Sequence, residues 1–113
     1  MGSAFQKLIV WKKSMILTEK VYLLIKKLPK DEQYGLVNQI RRSAISIPSN
    51  IAEGSKRNGK KEFKQFLHIA NGSAAELETQ LLLAKNIYAV EDTEVFGLLS
   101  EIERMLESFM RKF

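Results

Sequence analysis

The chain has no cysteine, so no disulfide framework and no thiolate metal site can be built, and packing alone must hold the fold. A reducing compartment, the cytoplasm, suits such a composition. Its one histidine, His68, is preceded three residues earlier by Gln65. The paired Glu-x-x-His motifs of a di-iron helical bundle are therefore missing. With no cysteine to pair with that histidine, the usual nucleophile dyads are missing too, and no enzymatic activity, metal or cofactor is expected. No apolar run approaches the ~18 residues of a membrane span, and the N-terminus lacks the basic-then-apolar layout of a signal peptide. Gln6 stands where a myristoylation signal needs Ser or Thr. No membrane partner is expected.

What is present is a chain of 113 residues, the size of one domain with a single core. Residues 1–113 are read as that domain, with 1–5 a disordered or appended leader. Charge is distributed unevenly. Residues 1–66 carry 14 Lys and Arg against 5 acids, whereas 67–113 carry 4 against 8. Such polarity suits an anionic partner on one face, or mutual neutralisation of basic and acidic helices within or between subunits.

The apolar period is helical throughout. A first helix is expected from about Gln6 to Leu28, stopped by Pro29, with Val10, Leu17, Val21, Leu24 and Leu28 on its stripe. A second begins near Asp31, aligns Val37, Ile40, Ala44, Ile47 and Ile51, and ends near Gly54. Pro48 lies inside it and removes the hydrogen bond to the Ala44 carbonyl, so a kink is expected there. The third, about Lys60 to Tyr88, alternates spacings of four and three through Phe63, Leu67, Ala70, Ala74, Leu77, Leu81, Ala84 and Tyr88, the seam of a left-handed bundle. The fourth is capped by Asp92 and repeats the rule through Val95, Leu99, Ile102, Leu106, Phe109 and Phe113. Connections of about two, five and three residues make neighbours antiparallel. The predicted fold is an all-α, antiparallel up-down-up-down four-helix bundle with helix two kinked at Pro48.

The stretch Tyr34–Arg57, YGLVNQIRRSAISIPSNIAEGSKR, followed by KEFKQFLHIANGSAAELETQLLLA from Lys61 to Ala84, resembles the bacterial 23S ribosomal RNA intervening-sequence proteins. The resemblance spans nearly the whole chain and rests on Gly35-Leu36, Gln39-Ile40-Arg41-Arg42, Ser46-Ile47, Asn50 through Gly54, and Gly72-Ser73 with Glu76-Leu77-Glu78. It implies a four-helix bundle that assembles as a ring-shaped homopentamer. It also implies kinship with accessory proteins of diversity-generating retroelements, and hence RNA or a reverse transcriptase as partners. Gly59 departs from the pattern where a Ser or Thr cap usually precedes helix three.

Several motifs compete for a functional reading. Gly54 through Lys61 has the two glycines and the lysine (Lys60) of a phosphate-binding loop, but Lys61 replaces the Ser or Thr that would hold magnesium, and a helix precedes it where a strand is needed. The surviving candidate is a basic set, Arg41, Arg42, Lys56, Arg57, Lys60, Lys61 and Lys64, dense enough to neutralise several phosphates and without aromatic residues for base stacking. Solvated helix faces or inter-subunit ion pairs are the alternative reading. Asn50, Glu53, Glu76 and Glu78 read as structural, capping carbonyls near Pro48 or pairing Arg41 and Arg42. Finally, Ile9, Ile16 and Leu23 recur at heptad spacing outside the core stripe of helix one. With Ile45, Ile69 and Leu83 they form a candidate oligomer interface. The chain is therefore read as a non-catalytic homo-oligomer that binds RNA backbone, or as a protein-docking scaffold or accessory subunit without a nucleic-acid role.

Overall fold

The computed structural model describes residues 5 and 8–113, so the expectation about residues 1–5 lies mostly outside it; Phe5 itself packs edge-on to Trp11 with ring centroids 5.1 Å apart. The described residues form four α-helices and no strand: α1 (Ile9–Leu24), α2 (Leu36–Ser55), α3 (Lys60–Tyr88) and α4 (Thr93–Arg111). Each helix packs on the two that adjoin it, closing a cycle α1–α2–α3–α4. At 1.5 Å per residue the 29 residues of α3 match the 43 Å long axis of the molecule, so this helix runs its full length.

The core is the four stripes expected, except that Phe63, Tyr88, Phe109 and Phe113 at the stripe ends are only partly buried against it. Val10, Leu17, Val21 and Leu24 from α1 meet Val37, Ile40, Ala44, Ile47 and Ile51 from α2. Leu67, Ala70, Ala74, Leu77, Leu81 and Ala84 from α3 and Val95, Leu99, Ile102 and Leu106 from α4 complete it, all buried. Met110 joins them from the last turn of α4. Each fully buried Leu or Ile contributes roughly 1.5–3 kcal/mol of apolar transfer.

Helix boundaries depart from expectation at α1 and α2. The α-helical geometry of α1 stops at Leu24, and a 3-10 turn, Ile25–Lys27, carries the chain to Pro29. Helix α2 starts at Leu36, not Asp31, because Asp31 and Glu32 are drawn into a second 3-10 turn, Lys30–Glu32. The Glu32 carboxylate then does what an N-terminal cap would do. One oxygen accepts the Leu36 N–H at 3.1 Å, and the other accepts the Tyr88 hydroxyl from the far end of α3. The Tyr88 bond, with the Leu36 bond behind it, holds Glu32 below the usual carboxylate range, and the same bond to Glu32, with burial behind it, pushes Tyr88 up to about 12.

Pro48 sits inside one uninterrupted α2. The Ala44 carbonyl it deprives is approached by Thr18 of α1, whose hydroxyl lies 3.2 Å from that oxygen and 2.8 Å from the Ser14 carbonyl of its own helix. Asn50, expected to cap here, instead donates to the Ser46 carbonyl and hydroxyl at 2.8 and 2.9 Å. Helix α2 ends at Ser55, beside the end expected near Gly54, and Gly54 is buried within its last turn. A Cβ there would lie 2.5 Å from the Cβ of Phe66, so glycine is what lets α2 and α3 close upon each other.

The remaining ends are locally encoded. Gly59 precedes α3 at φ +108°, a backbone region that only glycine occupies readily, which accounts for the missing Ser or Thr cap. Ala89 closes α3 in the left-handed conformation, donating to the Lys85 carbonyl at 2.9 Å while Val90 donates to Ala84. Asp92 caps α4 as expected, accepting from Glu94 and Val95.

Candidate nucleic-acid interface and self-association faces

The seven candidate cations divide into two groups. Arg41 and Arg42 lie in the first half of α2, and the fourteen residues from Arg42 to Lys56 put about 20 Å between them and the rest. Arg41 is half-buried, its guanidinium 5.5 Å from the Tyr22 ring centroid and its Nε buried without a hydrogen-bond partner. It packs against α1 and does not present a basic face. Arg42 reaches the rim of a polar cleft of about 340 Å³ between α2 and α3, lined also by Gln39, Ser43, Ser46, Ser73 and Glu76.

Lys56, Arg57, Lys60, Lys61 and Lys64 do gather, around the turn from α2 to α3. Among the described residues only Arg57 of these has an ion-pair partner, Glu53 one turn back at 2.7 Å, not the Arg41 or Arg42 expected for that glutamate. Aromatic rings lie beneath the cluster, contrary to the sequence reading: the Arg57 guanidinium sits 5.0 Å from the Phe66 centroid and Lys56 5.9 Å from Phe5. Cation–π contact of this kind fixes the head groups while leaving their outer faces open. The last turn of α4 adds a cation that linear reasoning missed. Arg111 shares a groove with Lys64, His68 and the acid Glu107, an association invisible in sequence because 47 positions separate Lys64 from Arg111.

Part of the charge asymmetry is spent inside the bundle. Lys13 pairs with Glu101 at 3.0 Å and Lys20 with Glu94 at 2.6 Å, joining the basic α1 to the acidic α4. Three acids are left together on the α3–α4 side: burial and the nearby Glu78, with Glu107 behind it, push Glu103 up to about 7. No group of three His, Cys, Asp or Glu side chains suited to a metal ion occurs among the described residues. Among the described residues no helix is long and apolar enough to cross a membrane.

All six proposed interface aliphatics, Ile9, Ile16, Leu23, Ile45, Ile69 and Leu83, are exposed. Met15, Leu82 and Ile87 are exposed as well and were not anticipated. Ile9 also lines a groove of about 580 Å³ between the start of α1 and the end of α4, with Met105 and Phe109 in its floor.

The family model described as 23S rRNA-intervening sequence protein matches residues 6–109. The chain belongs to this family. A solved structure from Bacteroides thetaiotaomicron, described as a protein of unknown function from the S23 ribosomal protein family, aligns with a TM-score of 0.78 at 28% identity. The alignment covers 90% of this chain and 98% of that one. No curated protein matches the sequence.

The residues that resemble the 23S rRNA-intervening sequence pattern mostly explain themselves as packing. Gly54 is the close approach of α2 to α3. Ser46 and Ser73 share a hydroxyl hydrogen bond at 2.7 Å across the same pair of helices, backed by Asn50. The hallmark residues thus join α2 to α3, the most extensive helix pair of the bundle. They leave Arg42 and Glu76 at the surface of the polar cleft.

Proposed function

We propose that this member of the 23S rRNA-intervening sequence family is a non-catalytic homo-oligomer that holds RNA backbone on the basic end of its bundle. The observation that carries the reading is the gathering of Lys56, Arg57, Lys60, Lys61 and Lys64 around one turn, four of them without an ion-pair partner among the described residues. Lys and Arg at that density release counterions from a phosphate backbone. Arg41 leaves the proposed site because it packs on Tyr22, and Arg111 enters it. The bundle is taken as up-down-up-down and bent at Pro48, which sets the α2–α3 turn beside the last turn of α4. A homopentamer in the cytoplasm is the assembly that the family resemblance supports.

The second reading is a docking scaffold or accessory subunit, as in diversity-generating retroelements with their reverse transcriptase, favoured by the exposed aliphatics. Replacing Lys56, Arg57, Lys60 and Lys61 together by Gln separates the two. Under the first reading, filter or fluorescence titration with single-stranded RNA gives weaker binding and a salt dependence flattened by up to about four phosphate contacts. The helix content stays unchanged. Wild-type protein that binds no RNA at low salt, or a quadruple variant that binds as well as wild type, sinks the RNA reading.

A further inference from the structure

Two columns of heptad-spaced residues are left uncovered by the core. On α1, Ile9, Ile16 and Leu23 are 61, 46 and 64% exposed. On α3, Ile69, Glu76 and Leu83 repeat the same period, with Ile69 50% exposed. The columns lie on opposite sides of the molecule. Ile9 shares its groove with Met105 and Phe109, and Leu23 shares a pocket with Asp92 at the head of α4, so the first column borders the α1–α4 pair. Glu76 lines the cleft with Gln39, Arg42, Ser43 and Ser46, so the second borders the α2–α3 pair. In the cycle of helix contacts these two pairs face away from each other.

Each column also borders charge that has no partner within the chain. Of the charged residues around Ile16, Lys13 and Lys20 are paired with Glu101 and Glu94 of α4, while Lys12 and Glu19 have no ion pair among the described residues. Helix α3 carries no Lys or Arg from Gln65 to Ala84. Of its two glutamates in that stretch, Glu78 is engaged with Glu103 of α4, and Glu76 has no ion pair. Gly72, one turn before Glu76, has open space where a Cβ would sit, so a second helix can come close.

The geometry points to a heterologous contact between copies of this chain, in which the α1 column of one packs on the α3 column of the next and Lys12 meets Glu76. This rests on the homo-oligomer reading above and adds which surfaces meet. Heptad columns are the natural seam of helix pairing. Unlike faces on opposite sides give each copy one neighbour through each face, and such a chain of contacts closes into a ring when the rotation permits. Ile16 and Glu76 are the midpoints of columns of equal length, so they meet whichever way the two helices run.

The absence of native cysteine makes disulfide trapping clean. A chain carrying Ile16→Cys and Glu76→Cys cannot bridge internally, because the positions are on opposite sides. On mild oxidation it is expected to give a ladder of dimers, trimers and larger species, while either single-cysteine chain gives none. Dimers from a single-cysteine chain, with nothing larger from the double, indicate like-on-like pairing and overturn the proposal. So does a double-cysteine chain that sediments as an oligomer yet forms no ladder. A second measurement keeps the carboxylate: Lys12→Glu is expected to lower the sedimenting mass and added Glu76→Lys to restore it. Failure of that restoration overturns the Lys12–Glu76 contact. A wild-type monomer overturns the homo-oligomer reading itself.

Discussion

A methyl group added at Gly54 would meet the Cβ of Phe66 at 2.5 Å and the Cδ1 of Phe63 at 3.1 Å, atoms held by the backbone of α3 and the aromatic cluster behind it. Gly54→Ala is expected to cost about 1–3 kcal/mol through overpacking. Gly97→Ala, in open space inside α4, should instead stabilise by about 0.5–1 kcal/mol. Urea titration of the two variants checks both signs, and a neutral Gly54→Ala would remove the close-approach explanation. Reading Gly54 as a helix end places the end of α2 within one residue of Ser55; only the position of Phe66 on the next helix reveals the second reason for glycine there. Glu103 is a second residue whose role depends on what the fold brings near it. Burial and the neighbouring Glu78 favour its protonated form, so the folded state binds a proton that the unfolded chain releases in the usual carboxylate range. Its contribution is fully present below that range and is lost as pH rises towards about 7. Glu103→Gln should therefore be more stable than wild type above neutrality and show no gain in mildly acidic solution. Parallel unfolding curves of variant and wild type at all pH values would contradict this.

At the scale of helices, the periodic interiors were legible and the ends only partly so. Helix α3 runs from Lys60 to Tyr88 as read because its alternation of four and three never breaks, and Asp92 announces α4 through a bond made within three residues. The start of α2 was misplaced because its cap is Glu32, held by Tyr88 from 56 positions away. The basic set was misjudged for the same reason: neighbours in the sequence of α2 lie far apart along its axis, while Arg111 arrives from another helix. Thr18 was likewise unreadable, although Pro48 made clear that the Ala44 carbonyl needed a donor. Thr18→Val keeps the shape and removes that donor, and is expected to cost about 1–2 kcal/mol. Restoring an N–H with Pro48→Ala should shrink the cost of Thr18→Val, because the helix then satisfies Ala44 itself. A double-mutant cycle in urea reads the coupling. No coupling would mean that the hydroxyl serves only Ser14.

For the whole molecule, the main imbalance is between a complete core and an incomplete surface. The middle of each stripe, such as Leu17, Ile40, Ile47, Leu77 and Ile102, is fully enclosed, so the apolar interior needs no partner to cover it. The exposed columns on α1 and α3 do, since several large aliphatics per chain would each gain roughly 1.5–3 kcal/mol if fully covered. If assembly covers them, folding and association are linked, and the thermal midpoint must rise with protein concentration. The wild-type chain is expected to sediment near five chain masses and to melt at higher temperature as concentration increases. Ile16→Glu with Leu23→Glu places two carboxylates in the α1 column, and both effects should disappear together while helicity remains, because neither side chain belongs to the core. A midpoint independent of concentration in the wild type, with a mass of one chain, would show that the columns are ordinary surface. A dimer or tetramer would keep the apolar argument and discard the fivefold assembly taken from the family resemblance.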